Sequence, residues 1–288
     1  MQQNDNYTPL AWYTDLNMQN HRKSYAYGEP FTLHTPIYTL LPFQIVRQHS
    51  AATIQYVKLY NSADEIIADI TTQMTESGLT ISSGTSYDNI IYYPITPMTL
   101  NIGGGYYYAV MSDGVTTWYS ELFYWGDVSN CVKIEWWDRE NLELAAGEIK
   151  YINQYKNAVY LNTEIGKPDY TFEEEGENRD GYYFPTKQIS EKVYKFTALA
   201  PEYLCDAMRL IRLSDYIRIT DQLGNVYDCD TFLMSPKWQT QGNVASVECE
   251  FNTHTVVKKC GKGYNLQAYG DFNSDYNNDF NNIEDELQ

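Results

Sequence analysis

Polar and apolar residues alternate in short runs along most of this chain. From about Thr8 to Val128 those runs are brief and separated by turn residues. In QIVRQHSAATIQYVKLYNSADEIIADI, β-branched and aromatic residues alternate with polar ones on either side of Asn61-Ser62-Ala63-Asp64, which predicts two or three strands with a turn at that tetrad. Further on, NIGGGYYYAVMSDGVTTWYSELFYWGD predicts a hairpin at Asp113-Gly114. Asp-Gly tolerates the positive φ angles of two-residue turns, and both flanks are rich in strand formers. Strands of this length and spacing predict an immunoglobulin- or fibronectin-like β-sandwich over residues 1–128.

A polar turn at Gly126 to Asn130 precedes a new strand, Val132 to Trp137, and marks the start of a second domain, residues 129–264. Its clearest strand is Val244 to Phe251, where Val247, Cys249 and Phe251 alternate with Ser246, Glu248 and Glu250. A helix is predicted over 201–214. Leu204, Ala207, Met208 and Ile211 fall at i, i+3, i+4 and i+7, and Pro201 sits where a first-turn proline costs no hydrogen bond. Arg209 and Arg212 lie off that stripe. The segment YIRITDQLGNVYDCDTF predicts a hairpin, and EEEGENRDGYYFP an acidic turn within a long charged loop, Thr171 to Pro185. The expected fold class is mainly β: an N-terminal sandwich followed by a β-sandwich carrying one packed α-helix. Residues 265–288, rich in Asn and Asp, predict a flexible acidic tail.

Composition narrows the possible functions. A chain of 288 residues exceeds the usual single-domain size and fits two. Its 28 Tyr against 10 Phe and 6 Trp favour half-wet strand faces and protein contacts over dry cores. A formal net charge of −18 opposes binding to nucleic-acid phosphates and mainly implies solubility and self-repulsion. The opening MQQNDNYTPLAWYTDLN lacks the basic and apolar regions of a secretory leader, and no run reaches the length of a membrane span, so neither is expected. Five cysteines, Cys131, Cys205, Cys229, Cys249 and Cys260, form no CxxC pair and read as small buried apolar residues.

No constellation for chemistry stands out. His21, His34, His49 and His254 are scattered, and Gly103-Gly104-Gly105 lacks the helix and lysine of a phosphate cradle. In the tail, Asp271, Asn273, Asp275 and Asp279 match positions 1, 3, 5 and 9 of a calcium loop. Tyr276 stands where the turn glycine belongs, and Asn282 where the bidentate glutamate belongs. Paired carboxylates of glycosidase type stay open as an alternative, since sequence does not give their separation. No catalytic, cofactor-binding or metal-binding residue is assigned, and no enzyme activity is expected.

The order of acidic turn, Arg179-Asp180-Gly181, strand through Val193 to Leu199, helix and hairpin resembles the ring-forming domain of phage distal-tail proteins, the baseplate adaptors of long tails. Gly176, Arg179, Asp180 and Gly181 match that family's Gly-Arg-Asp-Gly-like loop, with Glu177 and Asn178 intervening. The likeness covers about a third of the chain. Here the sandwich precedes the ring-like domain, the reverse of the family's usual order. The Tyr- and Asn-rich phrasing, as in FPTKQISEKVYKF, also resembles virion proteins of Bacteroidetes phages and prophages.

The resemblance implies a structural virion protein of the tail tip, made in the host bacterial cytoplasm. It would form a ring of about six copies and contact other tail proteins. The subunit contacts expected in that ring are Glu173, Glu174, Glu175, Arg179, Asp180 and Tyr182. Trp118, Tyr119, Trp136 and Trp137 are candidates for outward contacts with tail proteins or glycans, with core packing as the alternative reading of them. A receptor- or carbohydrate-binding module and a polysaccharide-degrading tail enzyme are the competing functions.

Overall fold

The computed structural model describes residues 8–14, 31–48, 53–77, 87–94, 102–138, 156–179, 181–238 and 244–260. It is mainly β, with one short α-helix among the described residues. The first strands are β1 (Trp12–Tyr13), β2 (Leu33–Pro36), β3 (Phe43–Gln48), β4 (Tyr56–Asn61), β5 (Ile66–Asp69), β6 (Met74–Ser77), β7 (Tyr87–Pro94), β8 (Gly105–Ser112) and β9 (Thr117–Ser120). Then come β10 (Phe123–Gly126), β11 (Val132–Trp137), β12 (Asn157–Leu161), β13 (Asp169–Arg179), β14 (Tyr182–Pro201), α1 (Glu202–Met208), β15 (Tyr216–Thr220), β16 (Val226–Trp238) and β17 (Val244–Cys260).

The chain forms two compact units, one of Met1–Gly166 with Lys195–Phe251, the other of Lys167–Tyr194 with Asn252–Gln288. In the first unit a large sheet runs β1-β9-β8-β10-β2-β12-β11-β15-β16-β17 and on to the later residues of β14, with β4 and β5 branching from β8. A three-stranded sheet, β3-β7-β6, accompanies it. The pairing of β2 with β10 is parallel and places Leu33 beside Phe123 and Thr35 beside Trp125. On its other side β2 meets β12, His34 opposite Tyr160. The boundary expected at residues 128 and 129 therefore falls inside one continuous hydrogen-bonded sheet.

Strict alternation sets the two faces of that sheet, because successive side chains of a strand point opposite ways. Val57, Leu59, Ala109, Met111, Phe123, Trp125, Val132, Ile134, Trp136, Val159, Ile217 and Ile219 are buried on the inner face. Trp12 meets Phe43 of the smaller sheet at 4.3 Å between ring centroids. The last strand follows its sequence pattern: Ala245, Val247, Cys249 and Phe251 are buried while Glu248 is exposed.

Turn chemistry fixes the register. At Asn61 the side-chain oxygen accepts from Ala63 N at 3.0 Å and Glu65 N at 2.9 Å, and Asp64 takes φ 64°, a conformation Asp tolerates better than most residues. At the second predicted hairpin Gly114 takes φ 88°, and the Asp113 carboxylate accepts from Val115 N at 2.9 Å and Thr116 N at 2.7 Å. Between β15 and β16, Asp221 Oδ1 accepts from Leu223 N at 2.9 Å and Asn225 N at 2.8 Å, with Gly224 at φ 83°.

The helix is shorter than the predicted 201–214. Pro201 is its N-cap in extended conformation, and α1 gives way after Met208 to a turn and a 3-10 segment, Ile211–Leu213. Ser214 Oγ donates to Leu210 O at 3.1 Å, a side-chain bond of the kind that competes with continued α-helix. The predicted stripe holds, since Leu204, Ala207, Met208 and Ile211 are all buried. Tyr203 and Cys205 are buried with them, so the covered face is wider than one stripe.

In the second unit β13 and the early part of β14 pair as a long antiparallel arm, and Asn252 of β17 donates from Nδ2 to Glu191 Oε2 on β14 at 3.0 Å. This corrects the predicted loop: Glu173 to Pro185 is strand, turn and strand, with Glu173 opposite Ile189, Glu174 opposite Gln188 and Arg179 opposite Tyr182. Eleven residues in β13 span about 37 Å at strand rise. Gly181 at φ 83° makes the reversal. A bulge lies between Glu175 and Gly176, where Thr186 Oγ1 donates to Glu175 O at 3.1 Å. At the base, within the first unit, Gly166 N donates to Lys195 O at 3.3 Å.

Candidate functional site

The outer face of the large sheet is paved with tyrosine. Tyr13 on β1 pairs with Tyr119 on β9, and Tyr60 on β4 pairs with Tyr108 on β8, their rings stacked at 5.3 Å. Tyr106 on β8 lies opposite Tyr124 on β10 with rings edge-on at 5.5 Å. Tyr124 then meets His34 at 5.6 Å, and His34 lies opposite Tyr160 on β12. Apart from Tyr13, each of these residues is one step along its strand from a buried residue, so the alternation that builds the core sets these side chains on the other face.

Several of those phenols are hydrogen-bonded or buried. Tyr108 OH donates to Asp64 Oδ1 at 2.7 Å, and Tyr13 OH to Glu121 Oε1 at 2.7 Å. Burial, helped by the Asp64 carboxylate, pushes the Tyr108 phenol well above its ordinary value. Tyr160 is pushed up likewise by burial, with Tyr38 and Glu135 adding to the effect. Burial lowers the pKa of His34, which favours the uncharged imidazole on this face.

Cations sit over the rings at several places. Lys58 Nζ is 4.6 Å from the Tyr56 centroid, and Lys133 Nζ is 5.8 Å from that of Tyr160. A further cluster lies on β11 and β15, where Trp137 stacks on Tyr216 at 5.4 Å and 18°. Lys156 Nζ stands 4.0 Å from the Trp137 centroid and Arg218 Cζ 5.8 Å from it. Arg218 also donates to Asp228 at 2.8 Å, and Lys133 pairs with Glu135 at 2.7 Å. Tyr216 is 43% exposed.

The four candidate aromatics divide between the two readings, core packing and outward contact. Trp118 and Trp136 are buried, because alternation turns them to the core, while their neighbours Tyr119 and Trp137 take the outer face. Sequence reasoning missed Tyr216 and Lys156 as members of this cluster. Tyr216 meets Trp137 only through the pairing of β11 with β15, strands far apart in sequence.

Of the residues expected in subunit contacts, Glu173, Glu174 and Glu175 are exposed along β13. Glu173 and Glu175 share one face of β13 and Glu174 takes the other, while Arg179 is paired with Tyr182 in the register. Glu174 accepts from Gln188 Nε2 at 2.7 Å, and Glu175 lies 3.5 Å from Lys187 Nζ. Asp180 lies outside the described residues. Unforeseen on the arm are Tyr170 and Phe172, 60% and 79% exposed, on the Glu174 face. The missed signal was Asp180-Gly181, the same dipeptide as the recognised Asp113-Gly114.

Reactive groups are subdued. Cys131, Cys205, Cys229 and Cys249 are free and buried. Burial pushes the thiols of Cys131 and Cys205 up to about 11 and those of Cys229 and Cys249 up to about 12, which leaves little thiolate near neutrality. Among the described residues no group of three His, Cys, Asp or Glu is placed to hold a metal ion, and no helix is long and apolar enough to cross a membrane. The tail, with its partial calcium-loop pattern, lies outside the described residues. Compared with known proteins, the chain matches no family, no curated protein and no solved structure.

Proposed function

We propose that this chain is a structural virion protein of a tailed phage or prophage, assembling as a homo-oligomeric ring near the tail tip and joining the tail tube to other tail components. In this reading the strands of residues 1–128 are immunoglobulin-like and those of 129–264 distal-tail-like, joined in one sheet through the pairing of β2 with β12. The supporting observation is the arm: an exposed antiparallel ribbon carrying Tyr170 and Phe172 in water beside Glu173, Glu174 and Glu175. Large aromatics left exposed on such a ribbon are a cost unless a partner covers them. A head-to-tail contact through such an element closes into a ring when the rotation allows. Glu173, Glu174, Glu175, Arg179, Asp180 and Tyr182 are the proposed contact residues.

The test is to shorten the arm at matched register, removing 174–188 and closing Glu173 to Ile189 with Asn-Gly. Light scattering after size exclusion should give a mass of about six copies for the full chain and one copy for the trimmed chain. Far-UV circular dichroism checks that both fold. A single-copy mass for the full chain, or an unchanged mass after trimming, overturns the proposal.

A second reading, a receptor- or carbohydrate-binding module, draws on the stacked pair of half-buried Trp137 and exposed Tyr216. Elsewhere on this face Tyr106 meets Tyr124 edge-on and His34 is tilted against Tyr124, so those rings do not form one flat platform for a sugar. That favours a protein contact there. Binding of the isolated chain to host cells, with no self-association, would select the second reading.

A further inference from the structure

β13 is the last strand of its sheet and pairs with β14 alone among the described residues. In an antiparallel pair alternate residues aim backbone N–H and C=O away from the partner, so β13 presents a row of donors and acceptors along its free side. Every residue from Asp169 to Asn178 is exposed, which leaves that side and both faces of the strand open. We propose that this edge is a strand-addition site: it takes an extended segment of another protein, antiparallel to β13, that carries three successive Lys or Arg and then an apolar–polar–apolar triplet. The inference goes beyond the ring reading and does not need it, because a neighbouring copy lying against a face of the arm leaves the backbone edge free.

Charge names the partner. Glu173 lies opposite Ile189 and Glu174 opposite Gln188, so neither has a cation across the existing pair. Glu175 has Lys187 at 3.5 Å, with both side chains largely in water, where such a pair counts for little. These three successive carboxylates alternate between the faces, so a strand laid beside them meets like charge unless it brings cations on both faces. The same glutamates turn away acidic segments, including those of other copies of this −18 chain, which is selection by repulsion.

Ahead of the glutamates the pattern changes. Tyr170 and Phe172 share one face, with Thr171 between them on the other, and both rings are exposed. Sheet edges are commonly blunted by short length, Lys or Pro, yet β13 has eleven residues, DYTFEEEGENR, without either. Glutamates alone would keep such an edge solvated, and two large rings beside them work against that. An apolar residue opposite each ring covers it in the manner of an aromatic–β-branched cross-strand pair. The bulge after Glu175 ends the regular edge, so the site runs from Tyr170 to Glu175.

The probe is an end-blocked peptide, Thr-Lys-Lys-Lys-Val-Thr-Val-Thr, titrated by calorimetry into the full chain. A second peptide of the same composition, Thr-Lys-Val-Lys-Val-Lys-Thr-Thr, puts all its lysines on one face and cannot meet Glu173 and Glu174 together. It should bind about fivefold more weakly. Glu173→Gln with Glu174→Gln should weaken the first peptide about tenfold and erase the difference between the two. Phe172→Ser should weaken it while leaving its salt dependence unchanged. The bound peptide should slow amide exchange in residues 169–175 about tenfold and leave β16 as it was. Absence of binding, equal binding of the two peptides, or binding without slowed exchange in β13 overturns the inference. Light scattering on the peptide-free chain separates the two readings. A single-copy mass with peptide binding intact removes the ring alone, and a mass of about six copies without binding removes the strand-addition site alone.

Discussion

Trp136 and Trp137 are adjacent in the chain and opposite in environment. Trp136 is 0% exposed beneath the sheet, whereas Trp137 lies on the outer face against Tyr216. One step along a strand separates a core anchor from a contact surface.

That step gives a stability prediction. Trp136→Ala should cost about 3–5 kcal/mol, the range for deleting a buried aromatic. Trp137→Ala should cost only about 0.5–1.5 kcal/mol, the value of an aromatic pair. The indole N–H of Trp136 finds no acceptor among the described residues, so Trp136→Phe should be much milder than Trp136→Ala. Urea unfolding monitored by far-UV circular dichroism orders the three.

Gly181 turns the arm at φ 83° with open space where a Cβ would stand. Gly181→Ala should therefore cost only the backbone strain, about 1–2 kcal/mol, and Gly181→Asn less, because Asn adopts the left-handed conformation more readily. Amide exchange across β13 and β14 reads the effect locally, and equal protection in all three chains would count against it.

The β15–β16 turn depends on one carboxylate. Asp221 accepts from Leu223 N, Asn225 N, Asn225 Nδ2 and Tyr227 OH at 2.8–3.2 Å. Burial pushes its carboxyl up, but the bonds from Asn225, Leu223 and Tyr227 together hold it below the ordinary range. Such a group stabilises the fold above the unfolded carboxylate value near 3.9, and that contribution is lost as pH falls through the lower folded value. Asp221→Ala should cost about 1–3 kcal/mol at neutral pH and flatten the acid limb of the stability profile. Chemical denaturation at a series of pH values shows both.

Alkali should act through the thiols. Folded-state values of about 11 for Cys131 and Cys205 and about 12 for Cys229 and Cys249 lie above the unfolded value near 8.5. The unfolded chain then releases protons first, so stability is whole below about pH 8.5 and declines as pH rises towards 11 to 12. At pH 8 a thiol reagent should label these four sites far more slowly in native than in denatured protein. Rapid native labelling of Cys249 would contradict its burial.

Local pattern carried part of this fold and failed where contacts were long-range. The strand Val244 to Phe251, the Asn61 turn, the Asp113-Gly114 hairpin and the Leu204–Ile211 stripe were all legible, because neighbours in sequence decide them. The arm was not. On β13, glutamates fill both faces from Glu173 to Glu175, so no apolar alternation marks it as strand and only Asp180-Gly181 hints at the reversal. The tyrosine face was legible as composition but not as a surface. Tyr124, His34 and Tyr160 come together through β10, β2 and β12, whose pairing no local window contains.

The hydrogen bond from Gly166 to Lys195 pins together the two points between which the arm departs and returns. Paired deletions or insertions on its two strands, made toward the Gly181 end and away from the Asn252–Glu191 bond, should leave that junction in place. Evolution or an engineer can thus resize or exchange this ribbon as a cassette, retuning which neighbour it reaches without refolding the body that carries it.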